Sequence, residues 1–437
     1  MLATEIIAKK RDGLELSDEE LQEFIGGYTR GDIPDYQAAA WLMAVYLRSM
    51  TLREIVSLTS IMAHSGQVLD LKDIAPFIVD KHSTGGIGDK TTLVVAPLVA
   101  STGLPVGKMS GRGLGFTGGT IDKLESIPGF RCNLTSEEFR DHLRRYGIVV
   151  SGQTIDLAPG DGKLYALRDV TATVPSIPLI ASSIMSKKIA SGANGIVLDV
   201  KVGRGAFMKT LDEAESLTRV MLGIGQGTGR KMAAVISNMD QPLGNAVGNA
   251  LEVIEAIETL QGAGPADFVE HCLVVSSQML LIAGHAESLE SAQEILQDAL
   301  NARLALDMFS RWIESQGGDI RVIDDPHNIL PKAKSVRTVQ SPRSGWISSL
   351  NALEIGLAAL QLGAGRAVKG QPVDHAVGVV LHHKIGDKVD IGDSLYTIHS
   401  SYGLRSNRLR EIEDKIQSAY RFSDTFVPSP PLILRIL

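Results

Sequence analysis

Cysteine is scarce: Cys132 and Cys272 are the whole complement of the 437-residue chain. Two thiols so far apart fit no zinc or redox spacing, and two buried free thiols in a reducing compartment are the expectation. Aromatics are few, at 5%. Net positive charge is missing: 43 Lys and Arg stand against 50 Asp and Glu, a balance of −7. The isoelectric point near 5.8 argues against a chain that coats nucleic acid, which carries a basic stripe. It leaves room for a small anionic ligand, because a pocket can be locally positive inside an acidic protein. Long hydrophobic runs are missing too. Thr91–Gly107 and His271–Ala286 are too short and too interrupted to span a bilayer, and Met1–Lys10 has no apolar signal core. The expectation is a soluble cytoplasmic protein with neither a membrane nor nucleic acid as partner.

What is present is a large apolar fraction, 44%, and an excess of glycine, 44 residues. The apolar share supports sizeable cores, and the length suggests two to four domains at roughly 100–200 residues each. Glycine is about 10% of the chain against an average near 7%, with no Gly-X-Y period.

Three textures follow one another. Residues 1–65 read as helices: Ser17 with Glu20 and Thr51 with Glu54 make capping boxes, and Pro34-Asp35 opens a helix carrying Trp41, Leu42 and Val45 on one face. From Phe77, short apolar runs alternate with helical stretches. Phe77–Asp80, Ile148–Val150, Gly195–Val200 and Ala233–Ser237 read as buried strands of a parallel sheet. The segment 164–188 lies between two of these strands, looks helical or irregular, and is expected to pack with the N-terminal helices. From about Val336 an antiparallel β/α texture appears, with a Gly-Asp turn repeated in Lys384–Leu395. No lysine there sits in a carrier-domain context, so a structural role is expected. The fold class is therefore α/β in three parts. A helical domain takes 1–65 with 164–188. A large α/β domain with a mostly parallel sheet takes 74–160 with 190–335. A C-terminal α+β module takes 336–437.

The glycines cluster: ten fall between Lys81 and Thr120. The first loop, Lys81-His-Ser-Thr-Gly-Gly-Ile-Gly-Asp-Lys-Thr-Thr92, joins a strand to a helix expected around Leu93–Ala100. Such a loop offers backbone N–H groups and a helix N-terminus to an anion. Ser83 and Thr92 add hydroxyls, and Lys81 adds charge. A Walker A reading fails, because Asp89 precedes Lys90 and Ser83 stands where the upstream glycine belongs. The second loop, from Lys108 to Glu125, repeats the recipe with Ser110, Thr120, Lys108 and Arg112. Two such loops at neighbouring strand ends can converge on one anion.

Ser110-Gly-Arg-Gly-Leu-Gly-Phe-Thr-Gly-Gly-Thr-Ile-Asp-Lys-Leu-Glu125 resembles the signature of the thymidine and pyrimidine-nucleoside phosphorylases. Lys81–Gly86, Tyr165–Val174 and Ser182–Lys188 resemble three more blocks of that family, in order and across essentially the whole chain. The resemblance implies phosphorolysis: inorganic phosphate attacks C1′ of a pyrimidine nucleoside, releasing the base and α-D-(deoxy)ribose 1-phosphate. It implies phosphate contacts at Lys81, His82, Ser83, Thr92, Lys108, Met109, Ser110 and Thr120. Base contacts fall at Arg168, Ser183 and Lys187. His82, Arg168 and Lys187 are the catalytic set, with His82 reaching the O2 side of the base as a proton or hydrogen-bond donor. It further implies a homodimer through the N-terminal helices, no organic cofactor, and domain closure about hinges near 66–73 and the flanks of 164–188. Some bacterial members bind a potassium ion, and the resemblance implies one in this chain, at Gly88, Lys90, Leu243, Ala246 and Glu255. Lys90 contributes only a backbone carbonyl to such a site, and its ammonium competes for it.

Two positions qualify the match. Phe116 stands where the family most often has His, so altered closure is expected. Lys108 stands where thymidine-restricted relatives have Met, which implies that uridine, thymidine and deoxyuridine are all substrates; a thymidine-restricted phosphorylase is the alternative. Rivals are an anthranilate-type phosphoribosyltransferase on the same fold, needing phosphoribosyl pyrophosphate and magnesium, and a non-catalytic nucleoside sensor.

Overall fold

A computed structural model describes residues 2–113, 115–153, 156–368 and 370–437, so Leu114 of the second glycine loop lies outside the described residues. The chain opens with four helices, α1 (Ala3–Arg11), α2 (Asp18–Arg30), α3 (Asp35–Arg48) and α4 (Leu52–Ala63). Both expected capping boxes form. Ser17 Oγ accepts from Glu20 N at 3.2 Å while Glu20 accepts from Ser17 N, and Thr51 and Glu54 do the same. Glu54 does more than cap. It is fully buried and also accepts from the Lys10 ammonium at 2.8 Å and from Leu16 N at 2.9 Å.

Alternation then begins: β1 (Val79–Ser83), α5 (Thr91–Ser101), β2 (Val106–Ser110), α6 (Thr120–Leu124), α7 (Ser136–Tyr146) and β3 (Ile148–Gly152). Helices α8 (Pro159–Val170) and α9 (Ile177–Ala190) return to the N-terminal helices, extending a few residues beyond 164–188 at both ends. Leu164 and Leu179 join Phe24, Trp41, Leu42 and Leu58 in one apolar cluster. The α/β pattern resumes with β4 (Gly195–Val202), α10 (Leu211–Gly227), β5 (Lys231–Asn238), α11 (Asn249–Leu260) and α12 (Ala266–Ala283). Helix α12 has the length and apolarity to cross a bilayer, yet Phe268, Cys272, Val275 and Met279 bury it against the sheet. Both cysteines are free and buried, and burial pushes the Cys132 thiol up to about 12.

Among the described residues the main sheet has six strands in the order Ile433–Ile436, β5, β4, β1, β2, β3. Strands β1 to β5 are parallel, and the C-terminal strand closes one edge antiparallel to β5. Two features differ from the sequence reading. Strand β1 begins at Val79 and runs on through Lys81-His-Ser, and β2, expected only as a strand of unstated range ahead of the second loop, is Val106–Ser110. In both, the apolar signal is interrupted by buried charge, Lys81 and Lys108, which tertiary partners rather than local pattern make tolerable.

The C-terminal part is antiparallel as expected, but it interlocks with the rest. Ala246–Val247 pairs with Val379–Val380 in a four-stranded sheet, and the last strand joins the main sheet. The consequence for the site is direct. Ser83 and Ser110 end adjacent parallel strands, so both glycine loops leave the same edge of the sheet, facing α8 and α9.

Replacing Glu54 by Ala leaves the buried Lys10 ammonium without its carboxylate. The expected loss is about 3–5 kcal/mol of unfolding free energy in urea melts, and a loss under about 1 kcal/mol contradicts this account of α4.

Candidate active site

A cavity of about 530 Å³ lies between the carboxyl ends of β1 and β2 and the helices α8 and α9. Its sheet-side wall includes His82, Ser83, Thr92, Lys108, Met109, Ser110 and Thr120, and its helix-side wall includes Tyr165, Arg168, Ser183 and Lys187. The structure thus gathers every sequence-predicted phosphate and base residue except Lys81 at one surface.

The first loop is organised by Asp89. Its carboxylate accepts from the Ser83 hydroxyl, and from Thr91 Oγ1 at 2.7 Å. Burial opposes its charge, but Lys81 and Lys201 outweigh burial and hold Asp89 below the ordinary carboxylate range. Lys81 does not line the cavity. Its ammonium points beneath the loop, 2.8 Å from Asp199 and 3.7 Å from Asp89. Asp199 in turn meets Lys201 at 2.6 Å and His271 Nε2 at 3.1 Å, all in the interior. Lys81 therefore sets the field and geometry under the loop in this structure rather than presenting a donor to the cavity.

The second loop turns back on itself. A Cβ on Gly113 would lie 2.5 Å from Gly119 N and 2.6 Å from Thr117 O, so only glycine permits the fold-back. Asp122 fastens it, accepting from Gly113 N at 2.7 Å and meeting Arg366 at 2.7 Å. Lys123, fully buried on α6, donates to Asp89 O at 2.6 Å and pairs with Glu252 at 2.9 Å, which ties the two loops together. Arg112 lines the cavity with its guanidinium paired to Glu125.

Between the loops sits a cationic floor. Lys188 donates to Asp80 at 2.7 Å and to Met109 O at 2.8 Å, while Lys108 donates to Lys81 O and stands 3.7 Å from Asp80. Burial, then the charge of Lys188, lower Lys108 to about 7. Burial and the same lysines push His82 well below its usual value, and its Nε2 has no hydrogen-bond partner. His82 is thus a neutral imidazole at pH 7. Of the two roles foreseen for it, hydrogen-bond donor fits and a pre-charged proton donor does not.

On the helix side, Arg168 is buried on α8 and donates to Leu179 O at 3.0 Å and Val174 O at 2.7 Å, leaving Nε unpaired. Lys187 and Ser183, one turn apart on α9, are 3.0 Å apart, and Lys187 also donates to Asp161. Asp161 was not singled out from sequence, nor were Asp80, Lys188 and Asp199. The signal available was charge in otherwise apolar strands, Asp80 closing a run of Ile and Val and Asp199 with Lys201 alternating in β4.

Phe116 packs tilted against Phe207, ring centroids 5.4 Å apart, with the Lys209 ammonium 5.7 Å from the Phe116 ring. Phe207 lines the cavity and is half exposed. The five positions matched to a potassium site also come together, but the Lys90 ammonium is among their oxygens, 2.8 Å from Leu243 O, 3.1 Å from Ala246 O and 2.7 Å from Glu255. These residues as arranged do not fit a metal ion.

A helical unit and a parallel α/β unit face each other across this cleft, and the family models and relatives that match the chain identify a glycosyltransferase-type enzyme. Residues 4–66 match the glycosyl transferase family helical bundle domain, residues 75–306 the glycosyl transferase family a/b domain, and residues 346–423 the pyrimidine nucleoside phosphorylase C-terminal domain. The chain is 54% identical to the pyrimidine-nucleoside phosphorylase of Geobacillus stearothermophilus over 99% of each chain. It is 52% identical to that of Staphylococcus aureus strain USA300 over the full length of both. It belongs to the pyrimidine-nucleoside phosphorylase family. The anthranilate phosphoribosyltransferase of Thermus thermophilus shares the fold, with a TM-score of 0.57 at 18% identity, over 71% of this chain and 99% of that one.

The position of Lys108 predicts a pH effect. Its folded pKa of about 7 lies below the roughly 10.4 of an unfolded lysine, so between these values the unfolded chain holds a proton the folded chain lacks. Stability contributed by this group is lost as pH falls toward 7. In urea melts, wild type should gain on Lys108→Met as pH rises from 7 to 9, by up to about 1.4 kcal/mol per pH unit. A constant difference contradicts the assignment.

Proposed function

We propose that the enzyme catalyses phosphorolysis of uridine, thymidine and deoxyuridine by inorganic phosphate, a pentosyl transfer yielding the free base and α-D-(deoxy)ribose 1-phosphate. The observation that carries this reading is the opposition of two unlike walls across one cavity. The sheet-side wall offers hydroxyls, loop N–H groups and Lys108, the donors an oxyanion needs. The helix-side wall offers Arg168, Ser183 and Lys187 about an apolar floor that includes Ile180 and Ile184, which suits a pyrimidine ring with a polar edge.

The work divides accordingly. Phosphate arriving as an anion favours the charged form of Lys108, so binding takes up a proton as well as an ion. Held there, its oxygen is aimed at C1′ across the cleft. As the glycosidic bond breaks, negative charge gathers on the base, and Arg168 and Lys187 meet it with charge-assisted hydrogen bonds. Asp161 orients Lys187, and neutral His82 offers an N–H without adding charge to a floor already rich in it. Phe116 and Phe207 give closure an apolar contact in place of a polar one. The N-terminal helices leave Tyr36, Met43, Tyr46 and Leu47 exposed, the face through which two copies would pair.

Arg168→Ala and Lys187→Ala should each lower kcat/KM for uridine by roughly 10- to 100-fold, the equivalent of one charged hydrogen bond. Unchanged values refute the base-site assignment. In this reading Lys108 also reaches the ribose 2′-hydroxyl, so Lys108→Met should lower kcat/KM for both nucleosides through the shared phosphate and for uridine by about 10-fold more than for thymidine. Equal losses on both substrates refute a role for Lys108 toward the ribose 2′-hydroxyl. Base release that needs magnesium and phosphoribosyl pyrophosphate instead of phosphate would favour the phosphoribosyltransferase reading.

A further inference from the structure

We infer that the Lys90 ammonium is a tethered cation that takes the place of a monovalent metal ion, making this enzyme independent of potassium. The chain at 242–246 folds so that two carbonyls and one carboxylate converge, and Lys90 Nζ sits at their focus: 2.8 Å from Leu243 O, 3.1 Å from Ala246 O, 2.7 Å from Glu255 Oε2. The ammonium donates to the two carbonyls and is ion-paired with the carboxylate, so three oxygens surround it. The carboxylate has further partners. Glu255 accepts from Asn245 N at 2.6 Å and from Ala246 N at 2.7 Å. The ring of Phe268 lies 5.0 Å from the ammonium and faces it from the apolar side. Both ends of the ion pair are buried.

No space or charge is left for an alkali ion. Gly88, the fifth position, carries a φ of +72° and its Cβ would fall 2.5 Å from Leu243 O, so loop and carbonyls are already in contact. A second cation here would share one carboxylate with an ammonium in a water-poor interior, where like charges repel strongly. A nearby lysine does not compete for the pocket: Lys384 binds the outer side of the same segment, through Pro242 O, Gly244 O and Asp267.

The tether has a mechanical role. Lys90 lies between Asp89, which holds Ser83 and Thr91, and the first residue of α5. Its side chain therefore pins the first glycine loop to 242–246, and Ala246–Val247 passes the connection to the C-terminal sheet. A covalently held charge does this without a binding equilibrium, whereas a bound ion stabilises only in proportion to its free concentration.

The test uses wild type and Lys90→Thr in chloride salts of potassium, sodium and choline at equal ionic strength. Wild type should show the same Tm in all three, within about 1 °C, and the same phosphorolysis rate. Crystals of wild type soaked in thallium(I) should give no anomalous peak among Leu243 O, Ala246 O and Glu255. Lys90→Thr should melt lower in choline and be restored by potassium by about 4 °C or more. A potassium-specific rise in wild-type Tm, or a thallium peak at those oxygens, overturns the inference. So does a Lys90→Thr variant as stable in choline as wild type. If the variant does not fold in any salt, the wild-type melting and thallium arms decide. Only the rate arm rests on the phosphorylase reading. The melting and scattering arms use no nucleoside, so failure of one is distinguishable from failure of the other.

Discussion

Taking a lysine ammonium out of water costs several kcal/mol unless a carboxylate and hydrogen bonds go with it. This molecule does so repeatedly at one end of one sheet. Lys81 faces Asp199, Lys188 faces Asp80, Lys123 faces Glu252 and Lys90 faces Glu255, all in the interior. Each pair joins segments distant in sequence, and Lys188, Lys123 and Lys90 also donate to backbone carbonyls. The glycine loops have little side-chain packing of their own. Their shape is held by charges placed beneath and behind them, and the cavity exists because those charges are paired.

The same arrangement explains how an acidic chain makes an anion site. The surface carries the net charge of −7, while the floor of the cleft concentrates Lys108, Lys188 and, below it, Lys81. Burial, reinforced by the like charges packed together, lowers Lys108 to about 7, at the edge of its charged state. An arriving phosphate relieves that repulsion, so the site is most favourable when its ligand is present. His82 stays neutral for the same reason. On the opposite wall Asp161 holds the Lys187 ammonium at the cavity, where the proposed reaction places the departing base.

Much of this was legible in the residues. The two glycine loops, the capping boxes and the parallel sheet rest on local order and spacing, which a sequence displays, whereas Arg168, Ser183 and Lys187 stood out only through the resemblance of their blocks to the family. What was not legible depends on distance. Nothing near Lys188 announces Asp80, and nothing near Lys187 announces Asp161 as its acceptor. Lys81 reads as a phosphate donor beside the loop, yet Asp199, on the next strand, turns it inward. The range of strand β2 hides because its centre is Lys108, a residue that strand patterns exclude unless a partner is known. The final strand hides behind a proline-rich approach and a single arginine, and only its pairing with β5 reveals it. Lys90 is the instructive intermediate. Its conflict with a metal site could be seen in the sequence, and its resolution, an ammonium seated among the oxygens, required the fold.

The central claim is that this cleft holds phosphate as the nucleophile against a nucleoside. The most direct measurement is ³¹P NMR of the enzyme with uridine and inorganic phosphate, followed alongside free uracil. The account predicts a new resonance from α-ribose 1-phosphate that grows in step with uracil. Uracil accompanied by free ribose, with the phosphate signal unchanged, would show that water attacks instead and would contradict it.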